Sequence, residues 1–206
     1  MQVTHTKIIN QKKQSLMKKT LFLVAVVLFQ VTAFAQDVWK SDKAHSQLTF
    51  SIVHKGLSDV MGLFKDFSTT ITSAKPDFSD AVIEMTADVA SINTGVEMRD
   101  NHLKTPDFFD ATAFPTLTFK SKSLQKTGTD KYTLTGDLTL HGVTKPVTMN
   151  LWYRGTSTNP QNNKMTSGFQ LTGTIKRSDF NIGAKFPAAM LTDEVAIKAD
   201  GEFNKQ

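Results

Sequence analysis

Cysteine is absent from this chain of 206 residues. Its absence excludes disulfide bonds, thiolate metal ligands, a cysteine nucleophile and a lipid anchor attached to cysteine. A chain without such cross-links depends on a hydrophobic core for its stability, and residues 36–206 are enough to build one domain with such a core.

Long apolar runs are also scarce, and the clearest one lies near the N terminus. Lys18 and Lys19 precede the apolar residues 21–29, and Ala33-Phe34-Ala35 follows. This order is typical of a signal peptide that is cleaved after Ala35. The run is short for crossing a bilayer, although a retained N-terminal membrane anchor is the alternative interpretation.

The expected domain organisation follows from that cleavage. Residues 1–35 form an N-terminal extension with a signal peptide, and residues 36–206 form the exported protein. Met17 stands where such a signal peptide usually begins, so either Met1 or Met17 is the true start. We expect no stable insertion of the exported domain into a membrane.

Neither sign of charge is in excess once the N-terminal segment is removed. The whole chain has 24 basic and 19 acidic residues. Five of the basic residues and none of the acidic ones precede residue 36, which leaves 19 of each sign. A domain with no net charge lacks the electrostatic footprint of a nucleic-acid-binding protein, so we expect no nucleic-acid partner.

Alternation of apolar and polar residues dominates the rest of the chain and predicts strands with one apolar face. The alternating segments are residues 48–52, 81–89, 117–119, 132–140, 147–153, 169–175 and 195–203, with a less regular one at 63–71. These make about eight strands. The short connections between them call for antiparallel neighbours. The periodicity alone does not decide between a sandwich and a closed barrel.

Residues 94–121 interrupt this pattern with two helical signals. Thr94 followed by Glu97 is a capping-box pattern that predicts a helix running to about Leu103. On this helix Asp100 and Lys104 are four residues apart, which favours a surface ion pair.

The second helical signal starts at Thr105, which is expected to cap a turn with Pro106 at its first position and Asp107 near its positive end. Phe108 and Phe109 lie on this turn. The sequence thus predicts a short helical insertion that plugs or gates one end of the barrel.

Several motifs resemble the YceI-like, polyisoprenoid-binding family, and their order and spacing carry the resemblance. They include Arg99-Asp100-Asn101-His102-Leu103, Asp107-Phe108-Phe109-Asp110, Phe114-Pro115, Gly136-Asp137-Leu138-Thr139, His141-Gly142-Val143-Thr144-Lys145-Pro146-Val147, Arg177-Ser178-Asp179-Phe180 and Asp193-Glu194-Val195.

The resemblance implies an all-β fold, an eight-stranded antiparallel lipocalin-like β-barrel with a short helical insertion between strands. Its apolar lumen would hold a long isoprenoid, a quinone or a fatty amphiphile, and members are commonly periplasmic or secreted. Position 181 is Asn where relatives carry Gly, so we expect a different local backbone after Phe180.

The predicted ligand-binding residues are apolar side chains on the inward faces and near the barrel ends. They are Phe50, Ile52, Phe67, Ile83, Met85, Leu117, Phe119, Leu134, Leu138, Met149, Leu151, Phe169 and Leu171 on the strands, and Phe108, Phe109, Phe114, Phe180 and Phe186 near the ends. For each of them, packing in a core without ligand contact is the alternative.

Five polar residues are candidates for head-group contact or for structural bracing. Arg99, Asp100 and His102 either bind a ligand head group or hold the helical insertion to the barrel. Arg177 and Asp179 are expected to brace residues 177–191, a loop whose length favours a lid or mouth.

Catalysis has little support in the sequence. His45, His54, His102 and His141 lack the spacing of a metal site, and no G-x-S-x-G motif is present. His102 and Asp100 are two residues apart on a helix and do not face each other. We expect no catalytic residue, metal or cofactor.

Three functions stay open after this reading of the sequence. The first is a carrier or reservoir for a long-chain lipid, and the second is an enzyme that transforms such a lipid. The third is an interaction protein with a filled core. The protein is expected to be a monomer or a homodimer.

Overall fold

The computed structural model describes residues 36–206, which form one antiparallel sheet. Its strands are β1 (Asp37–His54), β2 (Ser58–Phe64), β3 (Phe67–Ser73), β4 (Val82–Asp88), β5 (Ile92–Asn93), β6 (Thr116–Gly128), β7 (Lys131–Leu140), β8 (Val143–Thr158), β9 (Met165–Lys176) and β10 (Leu191–Lys205). Helix α1 (Glu97–Leu103) lies between β5 and β6, and 3-10 helices occupy Val89–Ser91 and Arg177–Phe180.

The sheet closes into a barrel because its first and last strands pair. Strand β1 pairs with β10 from Trp39 opposite Lys205 to His54 opposite Leu191. The other side of β1 pairs with β3 near its start and with β2 near its end, so β2 and β3 act as one interrupted strand. Strands β4 and β5 pair with β3 and β2 in the same way. The predicted eight-stranded antiparallel barrel is therefore confirmed, and its irregular strand at 63–71 contains the interruption.

Alternating burial explains why these segments become barrel strands. Along β7, buried residues at every second position from Tyr132 to Leu140 face the interior, and the residues between them are more exposed. Each inward position except Gly136 removes an apolar side chain from water, and a one-residue slip would reverse every side chain. The binary pattern therefore sets both the strand and its register.

A loop at residues 74–81 closes one end of the barrel, and we call it the plug loop. Its Phe78 is 2% exposed, and the Phe78 ring packs edge-on against the Trp39 ring with centroids 5.3 Å apart. The Tyr132 hydroxyl donates a hydrogen bond of 2.5 Å to the carbonyl oxygen of Asp77. The plug loop is thus anchored by aromatic packing and by a buried phenol.

The opposite end of the barrel carries helix α1 and the long connections. Strand β1 runs from the plug end, where Asp37 lies opposite Ser73, towards His54. The residues that follow β1, those between β5 and β6, the β7–β8 turn and the loop 177–190 therefore gather at the other end, which we call the mouth. Within residues 36–206, no helix has the length and apolar character needed to cross a membrane.

Candidate functional site

The barrel encloses a cavity of about 410 Å³ whose wall is almost entirely apolar. This volume falls within the range of roughly 300–1,000 Å³ that is usual for small-molecule sites. Most of the predicted lining residues do contact it: Phe50, Ile52, Phe67, Ile83, Met85, Phe108, Phe109, Leu117, Phe119, Leu134, Leu138, Met149, Leu151, Phe169, Leu171 and Phe186.

Further apolar residues line the cavity that were not among the predicted ones. They include Leu48, Phe64, Ile71, Leu140, Ile175, Ile182, Met190, Val195, Ile197 and Phe203. Most of these stand on the apolar faces of predicted strands, so the alternation already indicated their direction. Ile182 and Met190 lie in the loop after β9, where no periodic signal exists.

Phe114 and Phe180 do not line the cavity, and both pack beside the β7–β8 turn instead. The ring of Phe114 lies 4.8 Å from that of His141, and it occupies the space that a side chain at Gly142 would need. Phe180 is 1% exposed, and its carbonyl oxygen is 3.1 Å from Nδ1 of His141. These two phenylalanines hold the mouth connections to the barrel wall.

The start of helix α1 is organised by Asp100 rather than by a capping box. Val96 is the N-cap residue and makes no side-chain cap. Thr94 lies too early for that role, and its amide and hydroxyl donate to Asp100 Oδ1 at 2.8 and 2.5 Å. The predicted contact between Thr94 and Glu97 was therefore wrong, although the predicted end of the helix at Leu103 is confirmed.

Asp100 is 7% exposed, which explains why it does not form the predicted surface pair with Lys104. A carboxylate that is buried needs hydrogen bonds close by, and Thr94 supplies two. Asp100 does not line the cavity. Its role is bracing, which was one of the two roles considered for it.

The residues after α1 form turns instead of the predicted second helical turn. The hydroxyl of Thr105 donates to the carbonyl oxygen of His102 at 2.8 Å, so it satisfies the end of α1 and does not cap a new helix. The amide of Phe108 donates to the carbonyl oxygen of Thr105 at 3.0 Å. These turns carry Phe108 and Phe109 into the cavity wall, as the gating hypothesis requires.

A small aromatic and charged cluster joins this segment to the loop 177–190. The rings of Phe108 and Phe186 stack with centroids 4.9 Å apart, and the His102 ring meets Phe108 edge-on at 5.1 Å. Nε2 of His102 lies 3.5 Å from Asp107 Oδ2, and Lys185 binds the other oxygen of that carboxylate. The hydrogen bond from Lys185 holds the pKa of Asp107 below its ordinary value, with a smaller contribution from His102.

Arg177 is buried and braces the loop 177–191, as predicted. All five of its N–H groups donate to backbone carbonyl oxygens, at distances from 2.6 to 3.0 Å. The acceptors are Thr192, Ile182, Gly183, Phe186 and Leu191. One guanidinium therefore fixes both ends and the middle of this loop against the cavity.

Asp179 does not share the bracing role that was predicted for it. It is exposed, lies outside the cavity wall, and makes no side-chain hydrogen bond or ion pair within the described part of the chain. Asp193 braces this segment instead, because its carboxylate accepts hydrogen bonds from the amide and the hydroxyl of Ser178 at 3.0 and 2.8 Å.

Asn181 takes the conformation that a glycine would adopt. Its φ of 58° is left-handed, which asparagine tolerates better than most residues. The expected difference from the backbone of relatives stays a prediction. Phe180 itself lies at the end of the 3-10 helix Arg177–Phe180, where it is buried outside the cavity wall.

Titratable residues do not form a metal-binding cluster in the described part of the chain. Within residues 36–206, no three side chains among His, Asp and Glu come together in a way that could hold an ion. The polar side chains that reach the cavity wall include Arg99, His102 and Arg177. The wall therefore offers mainly apolar contact, with Arg99 and His102 among the few polar side chains that line it.

Comparison with known proteins gives consistent matches. The sequence model of the YceI-like domain matches residues 39–203. Protein YceI of Salmonella arizonae is 37% identical over 193 residues, which are 92% of this chain and all of that protein.

Two solved structures extend the comparison. BcnA of Burkholderia cenocepacia superposes with a TM-score of 0.68 at 30% identity, over 79% of this chain and 98% of that one. A polyisoprenoid-binding domain from Saccharophagus degradans, implicated in plant cell wall breakdown, has a TM-score of 0.62 at 17% identity, over 82% and 98% of the two chains. The second likeness establishes a shared fold.

Proposed function

The chain belongs to the YceI-like domain family, and from this premise we propose that it is an exported protein that binds a long-chain isoprenoid or related amphiphilic lipid. The observation that carries the proposal is the apolar cavity of about 410 Å³. The plug loop, anchored by Phe78 and by the hydroxyl of Tyr132, lies at one end of the barrel. The protein acts in the periplasm or outside the cell, as a carrier or a reservoir, and a quinone is one cargo of suitable form.

The energetics of such a site require little beyond a dry cavity. Each methylene moved from water contributes roughly 0.8 kcal/mol, so about ten methylenes suffice for micromolar binding. The stacked rings of Phe108 and Phe186 at the mouth would cover the chain after it enters. The name of the Saccharophagus domain, which shares this fold, supports the same class of ligand.

A cavity-filling substitution tests the proposal against a matched surface control. Ala199 lines the cavity, whereas Ala196 on the same strand β10 is exposed on the outer face. We expect Ala199→Phe to abolish binding of a fluorescent long-chain probe, and Ala196→Phe to leave it unchanged. Native mass spectrometry of protein from its own host should find about one amphiphile per chain. Equal binding by both variants, or protein that is always empty, would contradict the proposal.

A second function, chemical transformation of the bound lipid, is favoured by one observation. His102 lines the cavity and lies 3.5 Å from the carboxylate of Asp107, which is an arrangement suited to proton transfer. The test is incubation of lipid-loaded protein followed by analysis of the extracted lipid. A product that forms with the wild type and not with His102→Ala would establish the enzyme, and unchanged lipid would exclude this function.

A further inference from the structure

The two arginines at the cavity wall differ in the hydrogen bonds that their guanidinium groups make. A guanidinium has five N–H donors. All five of Arg177 are used by backbone carbonyl oxygens. Arg177 therefore has no donor left for a ligand.

Arg99 uses only two of its five donors within residues 36–206. Its Nε–H donates to the hydroxyl oxygen of Thr94 at 2.7 Å, and Nη2 donates to the carbonyl oxygen of Thr94 at 3.0 Å. Both acceptors lie on the side edge of the guanidinium, which is formed by Nε–H and one N–H of Nη2. The end edge, formed by Nη1 and the second N–H of Nη2, has no acceptor in the described part of the chain.

No carboxylate neutralises Arg99 directly. In residues 36–206, no Asp or Glu oxygen lies within ion-pair distance of its guanidinium, although Arg99 is half-buried and lines the cavity. A partly desolvated cation without a direct counter-ion favours an anion as its partner.

Asp100 and Thr94 hold Arg99 in position. The hydroxyl hydrogen of Thr94 is donated to Asp100, so the Thr94 oxygen presents its lone pairs to Nε of Arg99. The amide of Thr94 is fixed by the same carboxylate. This chain of contacts fixes the orientation of the free edge before any ligand arrives, which reduces the ordering cost of binding.

We propose that Arg99 anchors the polar end of the ligand, and that this end is an anionic oxygen group such as a carboxylate or a phosphomonoester. The end edge of a guanidinium matches two oxygens of such a group in a bidentate pair. Because Arg99 lies on α1 at the mouth, the apolar tail extends towards Phe78 and the plug loop. This inference rests on the proposed lipid-binding function and specifies its head group.

The test compares probes that share one tail and differ at the head. Binding of hexadecanoate, hexadecyl phosphate and hexadecanol is measured at pH 8 by displacement of a fluorescent long-chain probe. We expect the wild type to bind at least one anion about tenfold or more tightly than the alcohol. Arg99→Gln should remove this preference and keep the affinity for hexadecanol. The tighter of the two anions identifies the head group as a carboxylate or a phosphate.

Two further variants separate charge from geometry. Arg99→Lys keeps the charge without the planar fork and should retain only part of the preference. Lys104→Gln removes a charge at the end of the same helix, outside the cavity wall, and should leave the preference unchanged. A wild type that binds all three probes equally, or a preference that survives in Arg99→Gln, overturns the anchor alone. A wild type that binds none of the probes overturns the lipid-binding function itself.

Discussion

The ring of Phe78 stands edge-on to the ring of Phe169, with centroids 4.9 Å apart and planes at 87°. Phe169 lines the cavity, whereas Phe78 lies beneath it in the plug loop. The contact between them is therefore the floor of the cavity. It joins a residue that would touch the tail of a ligand to the segment that closes the barrel.

Removal of the Phe78 ring should both destabilise the barrel and open its floor. Truncation of a buried phenylalanine costs about 3–5 kcal/mol, so we expect Phe78→Ala to lower the free energy of unfolding in urea by that amount. Val82→Ala, at a position that is 43% exposed just beyond the same loop, should cost much less. Similar losses for the two variants would show that Phe78 does not carry the packing of this end.

A methyl group added at Gly136 on β7 is expected to clash with its neighbours. A Cβ at this position would lie 2.5 Å from the carbonyl oxygen of Lys120 and from the ring of Phe119. The backbone oxygen cannot move without disturbing the pairing of β6 and β7, so Gly136→Ala should lower the free energy of unfolding by about 1–3 kcal/mol.

The matched control is Gly128→Ala on β6, where the nearest atom would be 3.9 Å away. Its stability should stay within about 0.5 kcal/mol of the wild type. Chemical denaturation curves of the two variants, with equal slopes, give the comparison. A stable Gly136→Ala variant would mean that the strands separate more easily than their hydrogen bonds indicate.

Arg177→Lys should loosen the mouth, because a lysine has three donors where the arginine uses five. We expect a loss of about 2–4 kcal/mol in the free energy of unfolding. Hydrogen exchange of the amides of Phe186 and Met190, which close turns in the same loop, should become faster. The neighbouring Lys176 is exposed, and Lys176→Gln is the control. Unchanged exchange in Arg177→Lys would assign the stability of the loop to other contacts.

Asp80 links the stability of the plug loop to pH. Desolvation raises the pKa of Asp80, but hydrogen bonds from Ser73 and from the amides of Ala74 and Lys75 outweigh it, and the net pKa lies below 3.8. A depressed pKa in the folded state stabilises the protein above the unfolded value and loses this effect as the pH falls through the folded one.

We therefore expect Asp80→Asn to be less stable than the wild type at pH 7, and the difference to shrink as the pH falls below about 4. Asp179→Asn is the control, because the Asp179 carboxylate makes no hydrogen bond within residues 36–206. Thermal melting between pH 7 and pH 3 measures both variants. A constant difference across this range would show that the charge of Asp80 has no part in it.

Most of the fold follows from alternation, since inward positions such as Leu134 and Leu138 can be assigned without knowing their partners. The irregular strand at 63–71 was also predicted, although its cause is tertiary. Residues 65–66 do not pair with β1, whereas β2 before them and β3 after them both do. The sequence pattern shows that this segment is irregular, but it does not locate the break, which depends on pairing with β1.

The prediction of a capping box was wrong because Asp100, six residues after Thr94, competes with the local motif. Thr94 and Glu97 fit a capping box, but the buried carboxylate of Asp100 takes both donors of Thr94. Phe180, which was predicted to line the cavity near a barrel end, lies in a 3-10 helix, where strand alternation gives no information about the direction of a side chain. Ile182 lines the cavity from the same loop, and the alternation of apolar and polar residues could not predict this either.

The pairing of β1 with β10 has a consequence for the order of folding. These strands begin at Asp37 and Leu191, so the contact that closes the barrel joins segments far apart along the chain. Contacts of such long range form slowly, because the loop-closure entropy must be overcome first. The enclosed cavity requires this pairing, so a chain that lacks its last strand has no closed barrel in which to hold a lipid.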